Sequence, residues 1–408
     1  MLHDSPSSRV DRAWPYWPIV PLYPYGQRRT LRREILPDTL WVFEQIQGIF
    51  YVVVPIRMTV VRLQGGGLLV YAPVAPTGEC VALVRELEQR HGAVRFIVLP
   101  TVSGIEHKVF VGPFARRFPQ AQVYVAANQW SFPLDLPLSW LGLPWQRTQL
   151  LPEDSREAPF GEEWDYASVG PVDLGLGPFE EVALFHRPSR TLLVTDTLVG
   201  IPTEPPEVVQ LDPFPLLFHA RDRVGDPVQD SPETRRKGWQ RICLFAFYFR
   251  PSALVVTGLP QSIQEATRNL DPQFSWRTGS RSYFGLFPVQ WQPQWVESFQ
   301  ALQGQEGQLR VAPILQTLIL NRDPDGVWAW VDRLCRWPVE QVIPAHFAAP
   351  LTTTPRQIRS AFNFLGPSSS RRKSWDFWSR GQSPGGSLPE ADLQVLRGIR
   401  QLLDRLGV

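Results

Sequence analysis

The stretch VRFIVLPTVSGIEHKVFVGPFARRFPQAQVYVAANQ, residues 94–129, decides the fold. It opens on a short apolar run closed by proline, VRFIVLP (94–100), with the length and β-branched content of a buried strand. HKVFVGPFARRFP (107–119) then carries apolar residues at helical spacing, and AQVYVAANQ (121–129) returns to strand. Upstream, LLVYAPVAP (68–76) reads as a strand and Thr77 as an N-cap. CVALVRELEQRHG (80–92) follows as a helix stopped by Gly92. From 68 to 128 the order is strand, helix, strand, helix, strand, which predicts a sheet with helices packed on its faces.

The neighbouring segments extend that sheet. LWVFEQIQGIFYVVVPIRMTVVRL (40–63) is rich in Val, Ile, Phe and Tyr and predicts paired antiparallel strands, with Gly65–Gly67 turning the chain into the next strand. EEVALFHRP (180–188) and RTLLVTD (190–196) predict a hairpin turned at Pro188-Ser189. Residues 200–340 are less regular, with helices expected at 235–249 and around VWAWVDRLCRWP (327–338). The core is expected to end after VEQVIPAHF (339–347). GPSSSRRKSWDFWSRGQSPGGS (366–387) is a linker by composition, and PEADLQVLRGIRQLLDRLG (389–407) is a helix with proline and acids at its start. The organisation expected is an aromatic and Pro-rich arm over 1–38, a core domain over 39–365 with an irregular insertion around 200–340, and a linker plus helix over 366–408.

Composition sets outer limits. A hydrophobic content of 43% and a charged content of 20% in 408 residues describe an ordinary globular chain. A net charge of +2 offers no nucleic-acid footprint. Cys80, Cys243 and Cys335 are odd in number and make no CxxC pair, so a zinc knuckle or a disulfide framework is not supported. A reducing, cytoplasmic setting is expected. Proline interrupts the N-terminal apolar residues, and no window reaches the ~18 apolar residues of a spanning helix, so neither a signal peptide nor a membrane span is expected.

Chemistry-bearing residues recur where strands end. Glu106 and His107 follow VRFIVLP, Asp196 closes RTLLVTD, and His346 closes QVIPAHF. Ligand sites of α/β sheets gather at the carboxyl ends of strands. Two His and two carboxylates meeting there suit zinc, or iron or manganese with water in the shell. The bland alternative assigns Glu106 and His107 to capping the following helix, Asp196 to a turn, and His346 to a hydrogen-bonded place in the core. Two Arg-Arg-Lys runs, 235–237 and 371–373, lie near Trp239 and Trp375 and read as solvated surface. Asp323 and Asp325 in NRDPDGVW read as a Pro-Asp-Gly turn.

The run IVLPTVSGIEHKVFVGPFARRFPQAQVYV (97–125) resembles the strand, loop, helix and strand of metallo-β-lactamase-fold hydrolases, whose loop reads Thr-His-x-His-x-Asp-His. TLLVTDTLV resembles that family's strand with its metal-bridging Asp, and IPAHF its late histidine segment. The phrases GIEHK and FPQAQVYVAANQWSFP resemble an uncharacterised branch of this fold in photosynthetic organisms. The resemblance implies an α/β fold, an αββα sandwich of metallo-β-lactamase type. Residue by residue, the first two loop histidines fall on Val102 and Gly104, the Asp on Glu106 and the last His on His107. The mid-chain histidine falls near Gly177, while Asp196 and His346 match. The resemblance therefore implies one metal site of Glu106, His107, Asp196 and His346, with Asp196 as catalytic ligand or water-orienting group. His186 and Glu180 or Glu181 are candidate supports for a ligand histidine.

Two functions are compatible with these residues. One is a hydrolase of an ester, thioester or amide in a small-molecule substrate, using water activated by one zinc, iron or manganese ion. The other is a metal-free, non-catalytic binding or assembly protein that keeps the fold and engages a protein partner.

Overall fold

A computed structural model of the chain describes residues 8–18, 21–102, 106–129, 137–140, 142–175, 177–222, 226, 229–256, 289–366 and 388–405. Seven strands follow one another across a first sheet: β1 (Leu31–Leu36), β2 (Leu40–Ile49), β3 (Val52–Arg62), β4 (Leu68–Tyr71), β5 (Val94–Leu99), β6 (Gln122–Val125) and β7 (Thr148–Leu150). β1 to β4 are antiparallel and β4 to β7 parallel. β8 (Trp164–Asp173), β9 (Pro178–His186) and β10 (Thr191–Val194) begin a second sheet, and β11 (Leu254–Val256) and β12 (Val289–Trp291) form a separate ribbon. β13 (Gln341–Pro344) and β14 (Leu351–Thr352) complete the second sheet in the order β14-β13-β10-β9-β8, with β10 and β13 parallel. The helices are α1 (Gly78–His91), α2 (Lys108–Arg117), α3 (Glu207–Gln210), α4 (Phe214–Ala220), α5 (Pro232–Tyr248), α6 (Trp295–Gln303), α7 (Pro324–Leu334), α8 (Pro355–Ala361) and α9 (Glu390–Arg405).

Strand alternation sorts the core into three slabs. Leu40, Val42, Leu69, Tyr71, Phe96 and Val98 face Trp164, Tyr166, Val182, Leu184, Leu193 and Ile343 across the gap between the sheets. Their neighbours Trp41, Phe43, Leu68, Val70, Ile97 and Leu99 face the other way, onto Val81, Val84 and Leu87 of α1 and Phe110 and Phe114 of α2. On the far side, Ala183, Phe185, Leu192, Val194 and Val342 pack against Trp239, Ile242 and Phe247 of α5 and Val327, Trp330 and Val331 of α7. The result is the αββα sandwich expected from the sequence. Each fully buried Val, Leu, Ile or Phe in it contributes roughly 1.5–3 kcal/mol.

Local chemistry sets the element ends. Thr77 caps α1 by accepting from the Cys80 amide at 3.2 Å, and Gly92 ends it at φ 96°. Two expectations need correction. Residues 31–36, placed in the arm, form β1, an edge strand whose Arg32, Arg33 and Glu34 are the charges that suit an edge. Within 200–340, α5 and α7 stand where helices were expected, at 235–249 and around 327–338, with α3, α4 and α6 beside them, and α5 and α7 build the outer layer over the second sheet. The Pro-Asp-Gly turn is instead the start of α7, with Asp323 accepting from Gly326 N at 3.0 Å and Pro324 in the first helical position. Within the arm, Trp14 is buried against Phe110 at a ring distance of 5.2 Å. Arg235, Arg236 and Lys237 pair with Asp230, Glu204 and Asp222, while residues 371–373 and the linker 367–387 lie outside the described residues. α9 docks through buried Leu396 and Asp392, which accepts from Ser252 N at 2.7 Å and Ser252 Oγ at 2.6 Å. Cys80 lies on the buried face of α1 and Cys243 on that of α5, and burial pushes the Cys80 thiol up to about 12.

Two histidines outside the candidate cluster, His186 at the end of β9 and His219 in α4, are held neutral. His219 in α4 is bonded to Phe50 O at 3.2 Å, and His186 to Ser189 Oγ at 2.7 Å, and burial depresses each to about 4. The unfolded chain takes up protons on both near pH 6.5, whereas the folded chain does not until about 4. Their contribution is therefore complete above that unfolded value and is lost as pH falls. Unfolding by urea should show stability dropping between pH 7 and pH 5 by about 2 kcal/mol per histidine. His219→Gln should flatten that dependence, and an unchanged slope would refute it.

Candidate metal centre

The site lies where β5, β10 and β13 end. The chain leaving β5 first bonds to the second sheet: Val182 N–H donates to Pro100 O at 2.7 Å and Val102 N–H to Glu180 O at 3.2 Å. Glu106 and His107 then precede α2, Asp196 stands two residues after β10, and His346 two residues after β13. One ligand atom each from Glu106, Asp196 and His346 lies within 4.8 Å of the others. Three segments far apart in sequence thus bring two carboxylates and an imidazole to one point.

The histidine rings are oriented by backbone carbonyls. His346 Nδ1–H donates to Pro55 O at 3.0 Å, which turns Nε2 toward Glu106 Oε2 at 3.1 Å and Asp196 Oδ1 at 3.2 Å. Burial alone would depress this imidazole, but the Glu106 and Asp196 carboxylates outweigh it and hold its pKa well above the ordinary value. Burial likewise acts to raise Glu106, and His346 reverses it to give a lowered pKa. His107 Nδ1–H donates to Pro73 O at 3.1 Å, and its ring centre is 5.9 Å from that of His346. Its Nε2 is buried without a hydrogen-bond partner, and burial, followed by the charge of His346, lowers its pKa. An imidazole with one nitrogen donating to a carbonyl and the other free is the arrangement of a metal-ligating histidine.

Of the four expected ligands, Glu106, Asp196 and His346 come together, and His107 stands beside them outside that tight group. No side-chain hydrogen bond caps α2, so His107 is committed to Pro73 and not to the helix end. The side chains of Glu106 and Asp196 remain 35% and 33% exposed, which leaves the cluster open to solvent on their side. Two clefts among the described residues lie off this cluster. The one bordered by Glu180, Tyr166, Ser168 and Arg333 has a volume of about 380 Å³.

The supporting residues differ from those expected. His186 packs on Trp164 at a ring distance of 4.6 Å and supports no ligand. Glu180 bonds to Asn128 Nδ2 at 2.6 Å, tying the sheets together. Glu181 acts on backbone: its fully buried carboxylate accepts from Thr195 N at 2.9 Å, Asp196 N at 2.8 Å, Thr197 N at 2.9 Å and Thr197 Oγ1 at 2.7 Å. Burial, and then the charge of Asp196, raises its pKa. The loop that presents Asp196 is thus wound around a single carboxylate. Sequence reasoning also missed Pro55 and Pro73, whose contribution is a carbonyl oxygen that any residue has. The positions of the missing histidines serve the fold: Val102 is buried at 1% in the inter-sheet core, and Gly177 has φ 128° between β8 and β9. Gly104 lies outside the described residues.

A family model described as "Domain of unknown function (DUF4336)" matches residues 37–364. No curated protein matches the chain in sequence. Among solved structures, a flavo di-iron protein mutant from Thermotoga maritima is similar at a TM-score of 0.40 and 9% identity, over 83% of this chain and 61% of that one. A metal-soaked flavodiiron core from Synechocystis sp. PCC6803 is similar at a TM-score of 0.39 and 12% identity, over 85% and 62%. The metallo-beta-lactamase DIM-1, in a structure exposed to ceftazidime, is similar at a TM-score of 0.38 and 10% identity, over 82% and 96%. The chain thus spans 61% and 62% of the two flavodiiron chains.

Glu181→Ala removes one acceptor from four donors and leaves three backbone N–H groups of the 195–197 loop to find new partners. Its cost should be about 3 kcal/mol by urea unfolding. Glu180→Gln keeps an acceptor for Asn128 and should cost clearly less. Equal losses would show that Glu181 has no special hold on the Asp196 loop.

Proposed function

We propose that this chain, which belongs to the DUF4336 family, holds one divalent metal ion at Glu106, Asp196 and His346, with His107 as fourth donor, and acts as a hydrolase. The observation that carries the reading is the convergence of three donors within 4.8 Å from three strand ends. The unpaired, buried Nε2 of His107 supports the fourth ligand. When bound, a zinc, iron or manganese ion would polarise a carbonyl oxygen and make a bound water acidic near neutral pH, the chemistry needed to cleave an ester, thioester or amide.

The chain's own residues would do the rest. Pro55 O and Pro73 O keep the proton on Nδ1 of His346 and His107, so each Nε2 is the ligating nitrogen. Glu181 fixes the backbone from 195 to 197, and with it the direction of the Asp196 carboxylate. That carboxylate, one-third exposed, orients an incoming water and accepts its proton. The loss of three histidine positions leaves no second ion in this reading. Glu106, His107, Asp196 and His346 would then hold a single ion, which would supply both the acidity of the water and the polarisation of the scissile oxygen.

A second reading has its own support. His346 Nε2 already stands within hydrogen-bond distance of both carboxylates, so the cluster is satisfied as an imidazolium between two acids. In that case the protein is a metal-free binding or assembly module. Elemental analysis of the purified chain separates the two readings. One equivalent of zinc, iron or manganese is expected in the wild type and less than about a tenth in the His107→Ala, His346→Ala double variant. A metal-free wild type that added metal does not stabilise against heat would overturn the hydrolase reading and leave the second.

A further inference from the structure

Burying a guanidinium costs several kcal/mol unless it is fully bonded. Arg57 is buried at 1% in β3, and its cross-strand neighbour Glu44 in β2 at 2%. Arg57 Nε donates to Glu44 Oε1 at 2.8 Å, so one edge of the guanidinium is neutralised. The remaining donors leave the first sheet. Nη1 donates to Pro344 O, and Nη2 donates to Phe347 O at 2.6 Å. These two carbonyls stand on either side of His346. Arg33, which shares Glu44 Oε1 at 3.3 Å, donates to Ala349 O at 3.1 Å and continues the grip along the same loop.

The adjacent residues of β3 complete it. β4 pairs with β3 only from Thr59 onward, so the stretch before it has an open edge. Ile56 bridges to His346 there, and Pro55 supplies the carbonyl that takes His346 Nδ1–H. Phe347 sits at φ 56°, a left-handed backbone that a non-glycine side chain adopts at a cost. Its ring is stacked on Phe247 at 4.6 Å, and its carbonyl is the one Arg57 grips.

We infer that Arg57, oriented by Glu44, is a positioning residue that sets His346 against Glu106 and Asp196. A planar fork reaches two carbonyls at a fixed separation, which a lysine ammonium cannot do. The inference deepens the proposed metal site and rests on that reading for metal affinity. The placement of His346 can be read without metal.

The test uses the full-length chain, cobalt(II) as the probe, and two variants. The Glu44→Met, Arg57→Met double variant replaces the pair by apolar groups of similar length, a change that buried ion pairs often tolerate without loss of stability. It should fold, with cobalt(II) affinity weakened about 10–100-fold, the effect typical of removing a ligand's support. In the metal-free protein the hydrogen-bonded Nδ1 proton of His346, assigned by its absence in His346→Ala, should give a resolved NMR resonance that the double variant loses. Arg57→Lys keeps the charge beside Glu44 and should show the same two effects. A folded variant that keeps both the resonance and the affinity within twofold would overturn the inference. Failure of both variants to fold would assign the pair to folding and overturn it as well. A wild type that takes up no cobalt would sink the metal reading, while the resonance would still decide the role of Arg57.

Discussion

Everything at this site depends on how the two sheets meet at one end. The Val182 amide donates to Pro100 O and the Val102 amide to Glu180 O, joining the chain that leaves β5 to the start of β9. These bonds fix the second sheet along the strand direction of the first. A slip by one residue would turn every side chain of one strand to its opposite face. Glu106 is carried by the first sheet, and Asp196 and His346 by the second. Their convergence is a property of the interface between sheets and of no single strand. Tyr71 Oη, donating to Val182 O at 3.0 Å, adds a side chain to the same seam.

The layers were legible because strands and helices follow one another in order over 68–128. Leu40 and Val42 point one way and Trp41 and Phe43 the other, which the unbroken apolar run LWVF does not reveal by itself. The ends of β5, β10 and β13 were legible from the apolar runs that close there, and Glu106, Asp196 and His346 follow from them. What stayed hidden is register. Glu44 faces Arg57 because the chain turns at Phe50 and Tyr51, both with positive φ. Such a turn normally advertises itself with Asn or Gly. Two aromatic residues in that role gave no signal, so the pair beneath His346 could not be read. β1 was missed because its charges looked like those of an arm, when they are what an exposed edge strand carries. The carbonyls of Pro55 and Pro73 were illegible in principle, since every residue offers one.

The departures from the loop pattern have structural replacements. A histidine at 102 would have to leave a core where Val102 is 1% exposed, and one at 177 would occupy a position with φ 128°. The remaining donors are supported by buried groups that cost free energy to bury: Glu181 under the Asp196 loop, and Arg57 with Glu44 under the His346 loop. A cluster with no task beyond filling space would be met more cheaply by apolar side chains. The placement of these charges directly under the two loops that carry Asp196 and His346 is the physical reason to read the cluster as a site.

The two shielded thiols give the molecule a built-in report on its own layers. Cys80 lies in the slab beneath α1 and Cys243 in the slab beneath α5, on opposite flanks of the sandwich. Both sulfurs are buried and kept protonated by that burial. Alkylation requires a thiolate in contact with solvent, so neither sulfur reacts while its own helix stays docked. The modification rates of the two therefore clock separate openings, one for each flank. Whether the half that carries Glu106 and the half that carries Asp196 and His346 breathe together or independently is written into those two rates.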